Sequence, residues 1–282
     1  MIDLQNVTVG CIGCGTMGGS LIKAFAKSCN KKNIFVSAAH FEKAKSFADE
    51  VGVNAVKSNE EVVQKAQYVF LAVKPVYVKS VIDEIKNSFN EKTVLISMAA
   101  GVTLKTLASY CNSNTLSAPT NSTEVPHLIR IMPNIPATVG EAMTALTPAS
   151  DVLENDIEVV KALLATAGKA EQVAEKLMDG VTAVSGSGPA YVFMFIEALA
   201  DAAVKFGMPR KQAYIYASQT LLGSAKMAME DGRSISELKD AVCSPSGTTI
   251  EGVVSLERHG FRSAVIEAAT AAYNKSIDLG KR

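Results

Sequence analysis

Up to about residue 168, short apolar runs alternate with longer segments that carry apolar residues on one face. The short runs predict buried strands, and apolar residues three or four positions apart predict the helices between them. The strongest predicted strands are Val7–Ile12, Ile34–Ser37, Tyr68–Val73, Thr93–Ser97 and Leu128–Met132. Because alternating strands and helices usually form a parallel sheet covered on both faces, we predict an α/β, doubly wound domain.

Beyond residue 168 the pattern changes to nearly continuous helix, interrupted by Gly and Pro. The predicted helices are Glu175–Val184, Pro189–Phe206, Arg210–Glu230, Ile235–Val242, Gly252–His259 and Arg262–Leu279. Two stretches, Tyr191–Phe206 and Tyr214–Met229, are apolar around more of their circumference than one core face requires. We therefore predict domains at 1–168 and 169–282, the second all-α and assembling as a homodimer or a higher homo-oligomer.

A glycine-rich turn follows the first strand and opens the first helix, with the sequence Gly13-Cys14-Gly15-Thr16-Met17-Gly18. A turn this sharp needs Gly13, a pyrophosphate on backbone N–H groups needs no Cβ at Gly15, and close strand–helix packing needs Gly18. The helix N-terminus adds a partial positive charge. This order of strand, turn and helix predicts a Rossmann-type dinucleotide site.

The end of the second strand bears on cofactor choice. NAD-binding domains place an acidic residue there, whereas this chain has Ser37-Ala38-Ala39-His40. Ala38 is therefore assigned to the cofactor site, and NADPH is favoured, with NADH as a weaker possibility. Alternatively, Glu42 supplies the missing carboxylate. His40, Lys43 and Lys45 are candidates to contact the 2′-phosphate, with no clear choice among them.

Ligands of parallel sheets lie beyond the carboxyl ends of the strands. Ala72, Val73, Lys74 and Pro75 follow the apolar run at residues 68–71 and are predicted to border the cofactor, unless Lys74-Pro75 is only a polar strand exit. Ala100, in the turn after the next strand, is assigned to the same site. Asn134, between two prolines, is predicted at the same edge.

A hydroxyl-rich loop, Val242–Thr249, leads into a predicted helix start. Backbone N–H groups there, with the hydroxyls of Ser244, Thr248 and Thr249, favour a carboxylate. The alternative is an N-capping turn without a ligand. The loop Ser185–Pro189 has the same two interpretations.

Composition excludes several other classes of protein. The 28 basic and 28 acidic residues cancel, so neither nucleic acid nor a membrane is predicted as a partner, and a small molecule is. The sequence shows no signal or membrane-anchor pattern, which predicts a cytoplasmic protein. Five scattered cysteines argue against a disulfide framework, and Cys11-x-x-Cys14 has no companion that would make a metal site. The stretch Asn112–Glu124 is predicted to be a surface loop.

Several motifs occur in the order found in the pyrroline-5-carboxylate reductase family, which the chain resembles over essentially its whole length. They are residues 13–18, 71–75 (Leu-Ala-Val-Lys-Pro), 97–101 (Ser-Met-Ala-Ala-Gly), 130–134 (Arg-Ile-Met-Pro-Asn), 185–189 and 244–249. The resemblance implies NADPH-dependent reduction of Δ1-pyrroline-5-carboxylate to L-proline, the last step of proline biosynthesis. It also implies an α/β Rossmann-type doubly wound domain followed by an all-α dimerisation domain, with the site between one subunit's cofactor domain and its partner's helices.

By the same resemblance, residues 13–18, Asn59, Ala72, Lys74 and Pro75 contact the cofactor. The substrate carboxylate is held by the loop that contains Val242, Ser244, Ser246, Gly247, Thr248 and Thr249. Thr249 would hydrogen-bond the ring nitrogen and is the catalytic candidate. A protonated cyclic imine is already an electrophile, so hydride transfer needs mainly alignment and no catalytic His, Cys or carboxylate pair. The chain departs from the family at Ser246 and Ala142, where Gly is usual, and Ser246 is expected to weaken substrate binding.

Two other functions remain open from the sequence. A two-domain hydroxyacid dehydrogenase would carry a Lys-x-x-Asn-Asn helix motif, which Glu175–Asp179 does not supply. A non-catalytic NADPH-binding protein would bind the cofactor without turnover. A steady-state assay separates these functions.

Overall fold

The computed structural model describes residues 2–112 and 126–280. Apart from Asn112, the predicted surface loop lies outside the described residues. The chain divides into two units, the first comprising Met1–Gly186 with Ala272–Arg282 and the second Ser187–Ala271.

The described part of the first unit forms an eight-stranded sheet with the order β3-β2-β1-β4-β5-β6-β7-β8. Neighbouring strands in it are parallel, apart from the antiparallel pair β6 and β7. The strands are β1 Val9–Ile12, β2 Ile34–Ser37, β3 Asn54–Ala55, β4 Tyr68–Leu71, β5 Val94–Ser97, β6 His127–Met132, β7 Ala142–Pro148 and β8 Gly168–Gln172.

Helices cover both faces of this sheet. They are α1 Thr16–Phe25, α2 Phe41–Val51, α3 Asn59–Lys65, α4 Pro75–Ile85, α5 Leu104–Cys111, α6 Glu154–Ala165 and α7 Met178–Val181. Side chains of β4 alternate between the two layers, since Phe70 packs in the cluster with α1 and α6 and Leu71 in the cluster with α3, α4 and α5. The Phe25 and Phe70 rings lie 5.1 Å apart. The predicted doubly wound α/β fold is confirmed.

The boundary between the units lies later than the predicted residue 168. β8 pairs with β7, so a boundary at 168/169 would cut a strand, and the first unit continues to Gly186. β8 is a polar edge strand, Gly-Lys-Ala-Glu-Gln, which explains its weak apolar signal. The predicted helix at 175–184 is instead a 3₁₀ turn, the short α7 and a π-helical turn at Thr182–Gly186.

The second unit is helical, as predicted. It contains α8 Gly188–Lys205, α9 Arg210–Glu230, α10 Ile235–Val242, α11 Thr248–Arg258 and the first part of α12 Phe261–Gly280. α8 and α9 pack through the buried alanines Ala200, Ala213 and Ala217. Large apolar side chains on these helices, among them Phe193 and Ile215, are exposed in the single chain.

Candidate functional site

Strand register brings the predicted cofactor segments to one edge of the sheet. Ile12 pairs with Ser37 on one side and with Leu71 on the other. The residues that follow these three are Gly13, Ala38 and Ala72, so all three leave the sheet at the same level. This is the carboxyl edge of parallel strands, where such sheets bind their ligands.

Two glycines of the turn are required by the fold. Gly13 has φ of +106°, its N–H donates to Ser37 O at 3.0 Å, and a Cβ there would lie 2.5 Å from Ala72 O. A Cβ at Gly18 would overlap Gly13 O and crowd the Ala72 side chain. A side chain at Gly13 would therefore push the turn away from Ala72 at the end of β4, and one at Gly18 would push α1 away from both the turn and Ala72.

Gly15 differs from both, because a Cβ built there meets nothing within 4 Å. It is the N-cap residue of α1, and no side chain accepts a hydrogen bond from the first N–H groups of the helix at this cap. The fold does not need a glycine here, whereas a pyrophosphate resting on the backbone N–H groups at the start of α1 does. The turn thus fits the dinucleotide phosphate that the sequence predicted.

The other residues of the turn support it. Cys14 Sγ lies 3.3 Å from Ser37 O, and burial raises the pKa of its thiol to about 11. Burial also raises the pKa of Cys11. Both thiols are thus neutral at pH 7 and poor nucleophiles. Thr16 O accepts from Ser20 Oγ at 2.6 Å, and Met17 packs against the core.

A cavity of about 420 Å³ opens beside the turn. Its wall contains the predicted residues Gly13, Ala38, Asn59 and Val73. It also contains residues that were not predicted, namely Ile12, Ala39, Lys57, Ser58, Tyr77, Ser80, Val81 and Glu84. A second cavity of about 320 Å³ is lined by Cys14, Gly15 and Thr16 of the same turn, with Gly19, Ser20, Lys23 and Phe47.

A chain of side-chain hydrogen bonds runs along the wall of the larger cavity. Ser37 Oγ donates to Asn59 Oδ1 at 2.7 Å, and Asn59 Nδ2 donates to Glu84 Oε2 at 2.8 Å. Lys57 is the lysine in this wall, which includes none of the candidates His40, Lys43 and Lys45. Lys57 lies just after β3, so the expectation that ligands lie beyond the carboxyl ends of the strands could have indicated it. Nothing in the sequence indicated Glu84 on α4.

Lys74 and Pro75 also shape the start of α4. Lys74 is the N-cap of α4, and Pro75 occupies the first turn, where its missing N–H costs nothing. Ala72 N donates to Ile12 O at 2.9 Å, which holds β4 beside the glycine turn. Ala100 packs against the cluster of Met132, Ala145 and Met178.

The hydroxyl-rich loop lies in the second unit, between α10 and α11. Gly247 N donates to Ser244 O at 3.0 Å, and Ser246 has φ of +59°. With Pro245 at its second position, this is a type II turn, whose third position favours glycine. From the sequence, Ser246 was expected to crowd the loop and weaken substrate binding. The structure instead shows that its backbone is strained.

The loop leaves the N-terminus of α11 open. Gly247 is the N-cap and provides no side-chain cap, so the first N–H groups of the helix keep their capacity for an anion. Thr248 and Thr249 are the first two helical residues, and Val242 ends α10 with its side chain largely exposed. A glycine cap disfavours the alternative that the loop is only a side-chain capping turn.

The motifs around Asn134 and Ser185 have structural roles. Asn134 Nδ2 donates to Ser185 O at 3.0 Å, and Asn134 Oδ1 accepts from Met143 N at 2.9 Å. Ala142 lies buried in β7 opposite Gly168, whose missing Cβ leaves it room. The departure at Ala142 therefore causes no visible distortion of the strand.

The fold and the glycine turn define a dinucleotide-binding protein of the Rossmann type. A family model described as NADP oxidoreductase coenzyme F420-dependent matches residues 8–101, and one described as pyrroline-5-carboxylate reductase dimerisation matches residues 175–279.

Similar proteins extend this match to the whole chain. A pyrroline-5-carboxylate reductase of Escherichia coli (strain K12) is 45% identical over 97% of this chain and 98% of its own length. A pyrroline-5-carboxylate reductase of Methanosarcina acetivorans is 39% identical over 99% of this chain and 100% of its own length. The crystal structure of Plasmodium falciparum pyrroline carboxylate reductase with NADP bound has a TM-score of 0.85 at 32% identity, covering 98% of this chain and 99% of that one. The chain belongs to the pyrroline-5-carboxylate reductase family.

The match to a dimerisation family accounts for an unusual apolar segment. Residues 175–205 are long and apolar enough to cross a membrane by length and composition, yet only 11% of their most apolar window is buried in the single chain. The dimerisation match covers the same residues. The exposed apolar residues therefore lie in a segment that matches a dimerisation domain.

Proposed function

We propose that the protein catalyses NADPH-dependent reduction of Δ1-pyrroline-5-carboxylate to L-proline. The observation that carries this proposal is similarity to reductases of this name along both units, 45% identity over 97% of the chain in one case. The open Gly15 turn and the uncapped N-terminus of α11 supply the two kinds of anion site that the reaction needs.

The residues of the first unit would hold the cofactor. When bound, NADPH supplies the hydride that the imine carbon accepts. The backbone of residues 13–18 would bind the pyrophosphate, and Ala38, Asn59 and Val73 would border the adenosine half. Lys74, Pro75 and Ala100 remain assigned to the same site.

The loop of the second unit would hold the substrate. The N–H groups at the start of α11, with the hydroxyls of Ser244 and Thr248, would bind the carboxylate. The Thr249 hydroxyl would hydrogen-bond the ring nitrogen and fix the imine face presented to the hydride. Alignment is the main requirement, because a protonated imine needs no further activation.

Three finer points belong to the same proposal. NADPH would be preferred over NADH, because the turn after β2 carries alanines instead of a carboxylate that would repel a 2′-phosphate. The protein would act as a homodimer or a higher homo-oligomer, which the exposed faces of α8 and α9 favour. It would work in the cytoplasm, where its five free cysteines stay reduced.

A coupled assay tests the function. Purified protein, NADPH and fresh pyrroline-5-carboxylate should give loss of reduced-nicotinamide absorbance together with an equal amount of proline. A hydroxyacid dehydrogenase would instead oxidise hydroxyacids, and a non-catalytic binding protein would bind NADPH without turnover. Absence of proline-linked NADPH loss would reject the proposed function.

A further inference from the structure

Glu84 contacts Asn59 in the wall of the larger cavity. Phosphate binding by the glycine turn does not explain this contact. Asn59 is half-buried at the start of α3 and uses both ends of its amide. Oδ1 accepts from the buried Ser37 hydroxyl, and Nδ2 donates to Glu84 on α4. Asn59 and Glu84 both line the cavity.

The two partners do not constrain the amide equally. A hydroxyl donates or accepts, so Ser37 is compatible with either orientation of the Asn59 amide. An ionised carboxylate only accepts, so Glu84 requires the nitrogen on its side. Among the described residues, the second Nδ2 proton meets no acceptor, which leaves it available to a bound molecule.

The cavity lies where the adenosine ribose of a dinucleotide belongs. In doubly wound domains the ribose 2′ position is bound at the end of the second strand, and Ala38 and Ala39 after β2 line this cavity. A 2′-phosphate is a strong acceptor and gains from an N–H donor, whereas a 2′-hydroxyl pairs with either a donor or an acceptor. Lys57 in the same wall supplies a positive charge.

We propose that Glu84 is a positioning residue for cofactor choice: it orients the Asn59 amide so that an N–H group faces the 2′-phosphate, and so favours NADPH over NADH. The inference rests on the proposed function in that NADPH is the cofactor. Glu84 acts through Asn59 and does not itself touch the phosphate, which its own negative charge would repel.

Binding measurements on the complete protein test this role. Dissociation constants for NADPH and NADH, from reduced-nicotinamide fluorescence, are compared for the unmodified protein, Glu84→Ala and Glu84→Gln. The control Glu91→Ala removes the same charge from an exposed residue outside the cavity wall. Glu84→Ala should weaken NADPH about five- to tenfold and NADH less than about twofold. Glu84→Gln carries a donor as well as an acceptor, so it no longer requires the Asn59 nitrogen on its side, and NADPH binding should weaken by an intermediate amount, about two- to fivefold.

The opposite result has a clear physical meaning. If Glu84 acted only through its charge, its removal would reduce repulsion and tighten NADPH in both variants. Tighter binding, or equal NADPH affinity in Glu84→Ala and the unmodified protein, would overturn the positioning role.

A double-mutant cycle tests whether Glu84 acts through Asn59. In an Asn59→Ala background, Glu84→Ala should cause no additional loss of NADPH affinity, because the amide it orients is gone. Additive losses would overturn the inference. Proline formation by the unmodified protein is measured separately. NADPH binding without proline formation would contradict the proposed function, and an unchanged affinity in Glu84→Ala would contradict only the role of Glu84.

Discussion

The two units of the chain bury their apolar residues to very different extents. In the first unit both faces of the sheet carry continuous clusters, and large side chains such as Phe25, Phe70 and Ile82 are at most 1% exposed. In the second unit the buried cluster consists of three alanines, while Phe193 and Ile215 are each 60% exposed. Since each buried Å² of apolar surface contributes about 25 cal/mol, the first unit has its own core and the second gains most from association.

This difference extends to the candidate binding groups. The candidate cofactor residues belong to one folded unit and are aligned by strand register. The substrate loop belongs to helices whose apolar faces are uncovered. Changes in the first unit should therefore act on NADPH binding, and changes in the second on assembly and substrate use.

A charge on the exposed face of α9 should have the largest effect. Ile215→Glu would bury an unpaired carboxylate on association, which costs several kcal/mol, so the oligomer should dissociate and activity should fall with it. Light scattering after size exclusion measures the assembly. Gln212→Glu on the same helix adds the same charge at an exposed polar position and is the control. An Ile215→Glu protein that assembles normally would show that this face is not in the interface.

Thr249→Val tests the substrate side. Loss of one hydrogen bond to the ring nitrogen should lower kcat/KM by roughly 10- to 100-fold, equivalent to about 1 to 3 kcal/mol. The dissociation constant for NADPH should hardly change. Thr220→Val removes a similar hydroxyl, bonded within α9 to Tyr216 O, and should leave kcat/KM as it is. Unchanged kinetics in Thr249→Val would remove this residue from the site.

Gly15→Ala tests the candidate cofactor site by adding a methyl group, whereas Thr249→Val removes a hydrogen bond. A Cβ there meets no protein atom, so the melting temperature should stay within about 2 °C while NADPH binding weakens at least about tenfold, because the methyl group occupies the place of the pyrophosphate. Gly18→Ala is the contrasting variant. Its Cβ would overlap Gly13 O, and we expect a loss of about 1 to 3 kcal/mol in unfolding free energy. Normal NADPH affinity in Gly15→Ala would exclude the turn from phosphate binding.

The sequence predicted the first unit well because its physics is local. Strands buried on both faces become continuous apolar runs, and the turn between β1 and α1 needs glycines at fixed spacing. β8 is a polar edge strand with a weak apolar signal, so the sequence contained no reason to extend the first unit to Gly186. The π-helical turn at residues 182–186 carries no recognisable periodicity.

The candidate site was predictable where it consists of strand ends, and less so where it depends on packing. Ala38 and Val73 followed from their places after β2 and β4. Glu84 could not be found this way, because it approaches Asn59 only through the packing of α4 beside α3. Asn59 was predicted as a cofactor contact only from the family resemblance. The expectation of glycine at position 246, where this chain has Ser246, has the same basis.

Alkaline pH should destabilise the self-contained first unit. Burial raises the pKa of Cys14 and Cys29 to about 11 and that of Cys111 to about 12, and it also raises the pKa of Tyr68. Because these groups have a higher pKa in the folded than in the unfolded state, the folded state is favoured while they are neutral and disfavoured once they lose their protons. This stabilisation is complete below about pH 9 and is lost as pH rises through 11 to 12. Urea unfolding between pH 7 and 12 should show constant stability to about pH 9 and then a decline. Constant stability to pH 12 would contradict burial of these groups.

The smallest expected effect concerns the strained turn of the second unit. Ser246 is the one non-glycine residue with positive φ in the described part of the chain, and it occupies the glycine-favouring position of a type II turn. Ser246→Gly should relieve about 1 kcal/mol of strain, offset in part by the greater freedom of glycine in the unfolded chain. The net gain in stability should therefore be below about 1 kcal/mol. A preformed turn should also lower KM for the substrate a few-fold without changing NADPH affinity. Ser224→Gly, at an exposed position inside α9, removes the same side chain where φ is helical and should destabilise instead. If Ser246→Gly raises KM, the serine hydroxyl contributes more to substrate binding than its strained backbone costs.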